Sequence, residues 1–486
     1  MLPRLSKSKY LSGLQCPKRL WLKIHTPDKA TPITNAQQRM FDQGQEVGKF
    51  ARNQFPHGLL IKTNPTNLNQ AVEDTKNAIA NGANIIFEAA FLFKNIIVIA
   101  DIIEKMPNKS WNIIEVKSST AIKDEHIEDV ALQKYILEKK RLKINKTYLM
   151  HINKECIYPN LTNFFVLEDI TPYTKLKSQD VSNNLEHCQT ILQQKNELNT
   201  LIGEQCNDPH ECPFKSYCWK EIGNKSVFDI PRLNKFKKRE LRLGNIMSLD
   251  QLPADYSLSE LQWSYVSRIL NNKKEIDNKA IQNELAKLTY PLYFLDFETD
   301  NPAIPRFNSS QPYQHFPFQF SCHILQKDKS IVHREYLHTD ESDPRWDFAK
   351  SLFNTIGLNG SIIVYNKSFE ASVLKKLAAR FPDYSHQLLS MIDRLWDLLD
   401  IFKNYYKDPR FGKSNSIKSI LPILVPELSY SSLAIQKGDE AQSIWNKMIK
   451  TTFKLEKERM MENLKNYCEL DTLAMVEIYK KLLEID

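Results

Sequence analysis

The chain contains no run of 18 or more apolar residues. A helix needs about 20 to cross a bilayer, so no transmembrane helix is expected. Glycine is scarce, 12 in 486 residues, which excludes collagen-like and glycine-rich linker architectures. Neither sign of charge dominates: 66 Lys and Arg against 58 Asp and Glu leave a net charge of +8. That excess permits an acidic partner without demanding one. The opening stretch MLPRLSKSKYLSGLQCPKRLWLK lacks the apolar core of a signal peptide, and a cytoplasmic location with no membrane partner is the expectation. Hydrophobic residues at 42% and aromatics at 10% supply enough apolar surface for sizeable cores and exclude a disordered chain. The length predicts roughly two to four domains.

What is present is organised unevenly. Eight cysteines in a cytoplasmic chain read as thiols or metal ligands rather than a disulfide framework. Cys206, Cys212 and Cys218 crowd into EQCNDPHECPFKSYCW, Cys16 lies far upstream, and the other four are scattered singly. Residues 1–220 and 285–486 both read as α/β. Residues 221–284 are rich in Lys, Asn, Leu and Glu and read as a helical connector. NIIFEAAF (84–91), NIIVIADIIE (95–104) and WNIIEVKSS (111–119) are Ile/Val-rich runs separated by polar breaks, the pattern of consecutive antiparallel strands. A helix over 125–141 and a strand over 146–152 follow. In the last part PLYFLDFETD (291–300), FQFSCHIL (318–325), REYLHT (334–339) and SIIVYN (361–366) predict a mixed sheet, followed by a helix over 368–381 and further helices to the C-terminus.

Two sets of carboxylates interrupt these apolar strands, where a charge needs a reason. In the first, Asp101 ends one strand and Glu115-Val116-Lys117 ends the next. Glu115 and Lys117 are two apart and point to one face. Asp101 and Glu115 can hold a hard cation such as Mg²⁺ or Mn²⁺, with Lys117 orienting water or charge on a phosphate. Gln133 and Tyr135 on the next helix are candidates to brace them. The alternative is an ordinary exposed Glu-Lys pair. This stretch resembles the PD-(D/E)xK nucleases of the RecB type, and most of all the CRISPR-associated, single-strand-directed exonucleases that carry an iron–sulfur cluster. The resemblance implies a restriction-endonuclease-like fold and a [4Fe–4S] cluster on Cys16, Cys206, Cys212 and Cys218, with Zn²⁺ on the same sulfurs as the alternative. The sequence departs from the pattern at Gly48, where the upstream metal-ligating His would be sought; Glu46 and Glu88 are candidate replacements.

In the second set, Asp296 and Glu298 share one face of a strand, Glu370 follows another strand, and Asp471 sits on the last long helix. Tyr467, four residues before Asp471, lies on the same helical face. Four carboxylates from distant segments are what two divalent ions about 4 Å apart require. The spaced motifs Asp296-x-Glu298, Asn366-x-x-Phe369-Glu370 and Tyr467-x-x-x-Asp471 resemble the DEDD exonucleases (DnaQ-like, RNase H fold) with Tyr in the third motif. That resemblance implies 3′–5′ exonuclease chemistry at Asp296, Glu298, Glu370, Tyr467 and Asp471. The second motif carries Glu370 where Asp is usual, which suggests a specialised branch. Asp397 and Asp400 read as a solvated helical face. Ser416 and Lys418 read either as phosphate contacts or as a plain N-cap region.

End to end, from LSKSKYLSGLQCPKRLWL through CPFKSYC and FLDFETDNPAIPRF to NYCELDTLAMV, the chain resembles a bacterial family of unknown function. That family joins an iron–sulfur RecB-like nuclease domain (1–220), through a connector (221–284), to a DEDD-type RNase H-like domain (285–486). Within the connector, LRLGNIMSLDQL (241–252) resembles a helix-hairpin-helix with Gly244 at its turn; a plain helical turn is the alternative. The basic run NKFKKRELR (234–242) and the aromatics Phe297, Phe307, Tyr313, Phe316 and Phe318 are candidate contacts for a strand and its bases. Core packing is the competing role for the aromatics. The expectation is a Mg²⁺- or Mn²⁺-dependent nuclease acting on single-stranded DNA or RNA. Its alternative is a nucleic-acid-binding scaffold in repair or phage defence with one or both sites inactive.

Overall fold

The computed structural model describes residues 3–63, 67–220, 222–223 and 225–485. It is a mixed α/β molecule with two principal sheets. The chain divides into two compact units: residues 1–223, 233–247 and 303–312 form the first, and residues 224–232, 248–302 and 313–486 the second. Residue 221, where the sequence places the start of the connector, lies outside the described residues.

The first unit is built on a seven-stranded sheet. Its centre is the run Ile85–Phe93, Ile96–Lys105 and Trp111–Lys117, three consecutive antiparallel strands. They form where β-branched and aromatic residues gather and turn at the polar breaks, with Lys94 at a positive φ of 55°. The helix Asp124–Lys139 then carries the chain over so that Ile144–Ile152 lies parallel to Trp111–Lys117. Val130, Ala131, Ile136 and Leu137 of that helix are fully buried against the sheet's Ile103, Ile113 and Leu149. The two adjacent pairs stand about two helical turns apart, on one face of the helix.

The second unit holds a five-stranded sheet, ordered Ile331–Leu337, Phe316–Leu325, Leu292–Asp300, Ser361–Val364, Leu395–Asp397. The first three run antiparallel one to the next; Ser361–Val364 runs parallel to Leu292–Asp300, and Leu395–Asp397 parallel to Ser361–Val364. Alternation sorts its faces. Leu295, Phe297, Phe320 and Cys322 enter a core with Phe348, Leu352, Val373, Leu374 and Leu377 from the helices Arg345–Thr355 and Lys367–Arg380. Removing a ring such as Phe348 costs about 3–5 kcal/mol. The opposite face carries Asp296, paired across the ladder with Ser321, and Glu298, paired with Gln319. The helix Lys454–Leu483 packs on this second face: Gln319 donates to its Leu464 carbonyl at 2.8 Å.

Residues 234–285 form the helices Lys235–Leu243, Glu260–Leu270 and Asn278–Leu285. After Gly244 the chain reaches a short 3₁₀ turn, Leu249–Gln251, and the next α-helix begins only at Glu260. Among the described residues no helix is long and apolar enough to cross a membrane.

Candidate active sites

The second unit's site starts from the strand Leu292–Asp300. Asp296 and Glu298 project toward the helix that carries Tyr467 and Asp471, and ligand oxygens of Asp296, Glu298 and Asp471 lie within 4.8 Å of one another. Glu370, in the first turn of Lys367–Arg380, is 1% exposed, and its Oε2 has no hydrogen-bond partner among the described residues. Burial is the main cause that raises all four carboxyls above their ordinary values. The neighbouring charges add to it for three of them: Asp471 raises Asp296, Asp296 and Asp471 raise Glu298, and Asp296 raises Glu370. Lys418 and hydrogen bonds from Tyr430 and Tyr467 pull Asp471 back down.

The surrounding groups fix this cluster. Tyr430 Oη donates to Asp471 Oδ1 at 2.6 Å. Lys418 Nζ donates to Tyr467 Oη at 2.7 Å and to the Gln436 carbonyl at 2.8 Å. The carboxylates open into a cleft of about 750 Å³ whose walls include Tyr365, Asn366, Lys403, Lys413, Ser416 and Lys418. Asp296, Glu298 and Asp471 facing one lysine, with the buried Glu370 beside Asp296, fit a divalent cation, because burying several like charges without a counter-ion is prohibitive.

The first unit's site is assembled differently. Glu115 is 1% exposed and Asp129 3%. Lys117 Nζ reaches Glu115 Oε1 at 2.6 Å and Asp129 Oδ2 at 2.8 Å. Lys7, at the start of the helix Lys7–Gln15, reaches the same Glu115 Oε1 at 2.8 Å and Asp129 Oδ1 at 3.2 Å. Gln133 donates to Glu115 Oε2 at 2.7 Å and to Asp129 Oδ1 at 3.1 Å. Asp101 Oδ2 accepts from the Val116 amide at 2.8 Å. Burial, with the charges of Asp101 and Asp129, raises Glu115 to about 7; the two lysines work against that rise. Asp129 is held low by Lys7 and Lys117, against its burial. Glu88 stands in the position opposite Asp101 with a positive φ of 55°, a conformation costing about 1–3 kcal/mol that persists where surroundings enforce it. Burial raises its carboxyl, and the Glu115 charge adds to this. Glu46 is exposed. A Cβ at Gly48 would meet nothing within 4 Å.

The four cysteines named from the sequence line one cavity of this unit, together with Lys18, Arg19 and Leu22. Cys16 stands at the N-cap of the helix Pro17–His25, where the Arg19 and Lys18 amides work against the rise that burial imposes on its thiol. Burial raises the Cys16 and Cys212 thiols and lifts Cys218 to about 11; the charges of the neighbouring cysteines act in the same direction. An all-sulfur donor set with a helix N-terminus and two basic residues beside it fits a cation or cluster that takes thiolates. All eight cysteines are free thiols.

Several readings of single residues need correction. Tyr135 does not brace the acid cluster; its hydroxyl pairs with Ser182 at 3.4 Å. Asp397 is no solvated helical residue. It lies on the strand Leu395–Asp397 and accepts from the amides of Asn366, Lys367 and Leu399. Asp400 is exposed beside Lys403. Phe297 packs on Phe348, and Phe318 stacks on Trp445 at 4.4 Å, so both rings serve the core. Lys7, Asp129 and Tyr430 were not legible as site residues. Lys7 precedes Glu115 by 108 residues, and no local pattern marks it.

Residues 293–416 match the model of a family described as a domain of unknown function, DUF2779. That match includes Asp296, Glu298 and Glu370. The chain is 26% identical over 345 residues to the uncharacterized protein MG366 of Mycoplasma genitalium, covering 64% of this chain and 50% of that protein. It is 28% identical over 298 residues to the uncharacterized protein UU173 of Ureaplasma parvum, covering 55% and 43%. The chain thus spans about half the length of the curated relatives it matches. The crystal structure of SSO0001 aligns with 44% of this chain and 84% of its own at 14% identity, with a TM-score of 0.22, too low to bear on the fold.

Proposed function

We propose that the chain is a metal-dependent nuclease that hydrolyses phosphodiester bonds of single-stranded DNA or RNA, with its principal site in the second unit. The observation that carries this reading is the convergence of Asp296, Glu298 and Asp471 within 4.8 Å at the floor of an open cleft. We read the five-stranded sheet with its acidic face as an RNase H-like domain and the seven-stranded one as PD-(D/E)xK-like; strand order and direction support both readings.

Asp296, Glu298, Glu370 and Asp471 would hold Mg²⁺ or Mn²⁺. Bound there, the ions supply an activated water and stabilise charge on the leaving 3′ oxygen. Tyr467, whose hydroxyl accepts from Lys418 and helps hold the Asp471 carboxyl down, would orient that water. Lys418, Lys413 and Lys403 along the cleft wall offer positive charge to a backbone, which attracts phosphate without reading sequence. Such an open basic cleft suits a 3′ end fed as a single strand. End-labelled DNA and RNA, single- and double-stranded, test the assignment. Mn²⁺-dependent shortening from the 3′ end should disappear in Asp296→Ala combined with Asp471→Ala; unchanged degradation would remove the second unit from the chemistry.

The first unit supports a second reading, a strand-gripping module. Lys7 and Lys117 already occupy Glu115 and Asp129, and Gly48 brings no ligand. If Lys117→Ala abolished a residual activity while binding persisted, the unit would be catalytic after all. We assign Cys16, Cys206, Cys212 and Cys218 to a [4Fe–4S] cluster that ties the first helices to the end of this unit, with Zn²⁺ as the competing occupant. Anaerobically purified protein should be brown; colourless protein with stoichiometric zinc that Cys212→Ser abolishes would favour zinc.

A further inference from the structure

The acidic face of the second sheet carries another polar cluster, one strand step away from Asp296. His323 lies on Phe316–Leu325 and His333 directly opposite it on Ile331–Leu337. Their rings stack with centroids 4.6 Å apart. Glu469, on the helix Lys454–Leu483, completes a set whose ligand atoms lie within 4.8 Å of one another. We propose that His323, His333 and Glu469 form a separate site for a zinc-class divalent ion.

Three observations carry the assignment. The first is the spacing. His333 Nδ1 is 3.7 Å from Glu469 Oε1, close to the span of about 3.3 Å set by a tetrahedral ion with bonds of about 2.0 Å. The second is the hydrogen bonding behind the rings. His323 Nδ1 meets Thr472 Oγ1 at 2.8 Å, and His333 Nε2 meets Ser321 Oγ at 2.9 Å. Ser321 and Thr472 hydroxyls meet each other at 2.7 Å, and Thr472 donates to the Glu469 carbonyl at 3.1 Å. One assignment of hydrogens satisfies the whole chain. Each imidazole donates to a hydroxyl, Ser321 donates to Thr472, and Thr472 donates to the carbonyl. It leaves His323 Nε2 and His333 Nδ1 as lone pairs, the orientation that outer hydrogen bonds impose on metal-ligating histidines. The third is access. His323 is buried, while the side chains of His333 and Glu469 are 24% and 45% exposed. The set therefore has a closed back and an open front.

The donor chemistry separates this site from the other two. Two imidazoles and a carboxylate suit Zn²⁺ or its neighbours, whereas carboxylates alone suit Mg²⁺ or Mn²⁺ and four thiolates suit an iron–sulfur cluster. The nearby Lys480 is engaged by Glu477 at 2.7 Å, and Lys465 by Glu335 at 2.8 Å. Glu469 precedes Asp471 by two residues, so an ion here would pin the helical turn that presents Asp471 to the acid cluster.

Cobalt and zinc titrations of the full chain, first stripped with chelator, test the site. Co²⁺ at imidazole and carboxylate gives ligand-field absorption without the sulfur charge-transfer band of a thiolate site. Wild-type protein should show that absorption and take up one zinc equivalent more than His333→Gln or Glu469→Gln. Both substitutions fall on partly exposed side chains, so folding should survive them. Asp296→Asn should retain the signal, and Ser321→Ala should weaken zinc binding by about tenfold, as loss of an outer hydrogen bond does. Equal zinc uptake in wild type and His333→Gln, or loss of the cobalt signal in Asp296→Asn alone, would overturn the assignment.

Discussion

The two acid clusters use the same residue types and answer their charge in opposite ways. In the first unit, Glu115 and Asp129 are both in contact with Lys7 and Lys117, and Asp101 feels both ammonium groups. In the second, Asp296, Glu298 and Asp471 face one lysine and Glu370 none, and Lys418 bonds to Tyr467 and a carbonyl rather than to a carboxylate. A cluster already neutralised by its own lysines has less need of a divalent ion. A cluster of buried acids with one remote lysine either holds protons or holds metal. The comparison supports the proposal that the chemistry lies in the second unit and that the first acts as a grip.

The contrast breaks most sharply on removal of ligands. Asp296→Ala or Asp471→Ala should lower Mn²⁺-dependent cleavage at least about a hundredfold, the scale on which a principal source of charge stabilisation is lost. The same measurement on Glu115→Ala should show a much smaller change. Tyr467→Phe should cost about tenfold, less than the ligands, because it removes an orienting hydroxyl and leaves the acids in place. An equal loss from Glu115→Ala and Asp296→Ala would erase the distinction between the units.

Stability sharpens it next. Lys7→Ala strips Glu115 and Asp129 of one of two counter-ions and should destabilise the first unit by about 3 kcal/mol, as deleting one partner of a buried pair does. Mn²⁺ should then recover part of the loss in urea unfolding, since an ion can take the place of the missing ammonium. If Mn²⁺ stabilised wild type and Lys7→Ala equally, Lys7 would not be competing for that position.

The pH response follows from the raised carboxyls. The folded state holds protons on Asp296, Glu298, Glu370 and Asp471 more tightly than the unfolded chain does. Their contribution to metal-free stability is complete below the ordinary carboxylate range and lost as pH rises through the folded values. Glu115 adds to the same trend up to about pH 7. Mn²⁺ requires the deprotonated acids, so its stabilising effect should grow over the same rise. Melting midpoints with chelator and with Mn²⁺, compared between pH 5 and pH 8, should diverge. Parallel curves would contradict the picture of metal-seeking acids.

The smallest expected change concerns Gly48. Gly44 faces Ser118 Oγ and Arg52 meets Glu88. Gly48 lies midway between them on the same helical stripe, with open space beyond its Cα. In an Asp296→Ala, Asp471→Ala background, Gly48→His should raise residual Mn²⁺-dependent cleavage by a few-fold. No gain would mean that the first unit lacks more than this ligand.

Local chemistry made part of this site legible. Asp296 and Glu298 stand out because two acids on one face of an apolar strand are costly, and Cys206, Cys212 and Cys218 because they crowd. The strand runs and the crossing helix were legible for the same reason, a hydrophobic period of two or of three to four. What stayed hidden depends on contacts between distant segments. Lys7 shows only a helix start in the sequence, and Tyr430 only a serine-flanked tyrosine. His323 and His333 sit ten residues apart on two strands, and only the antiparallel register sets them opposite each other. Asp397 was misread because the apolar spacing of RLWDLLDIF is helical, while the parallel ladder to Ile362–Val364 claims its first residues as a strand.

Anomalous scattering from a crystal of the full chain soaked in Mn²⁺ tests the central claim most directly. The account predicts manganese peaks among the carboxylates of Asp296, Glu298 and Asp471, within reach of Glu370. It predicts none, or a far weaker one, between Glu115 and Asp129 while Lys7 and Lys117 remain. Manganese bound at Glu115 with nothing at Asp296 would contradict it.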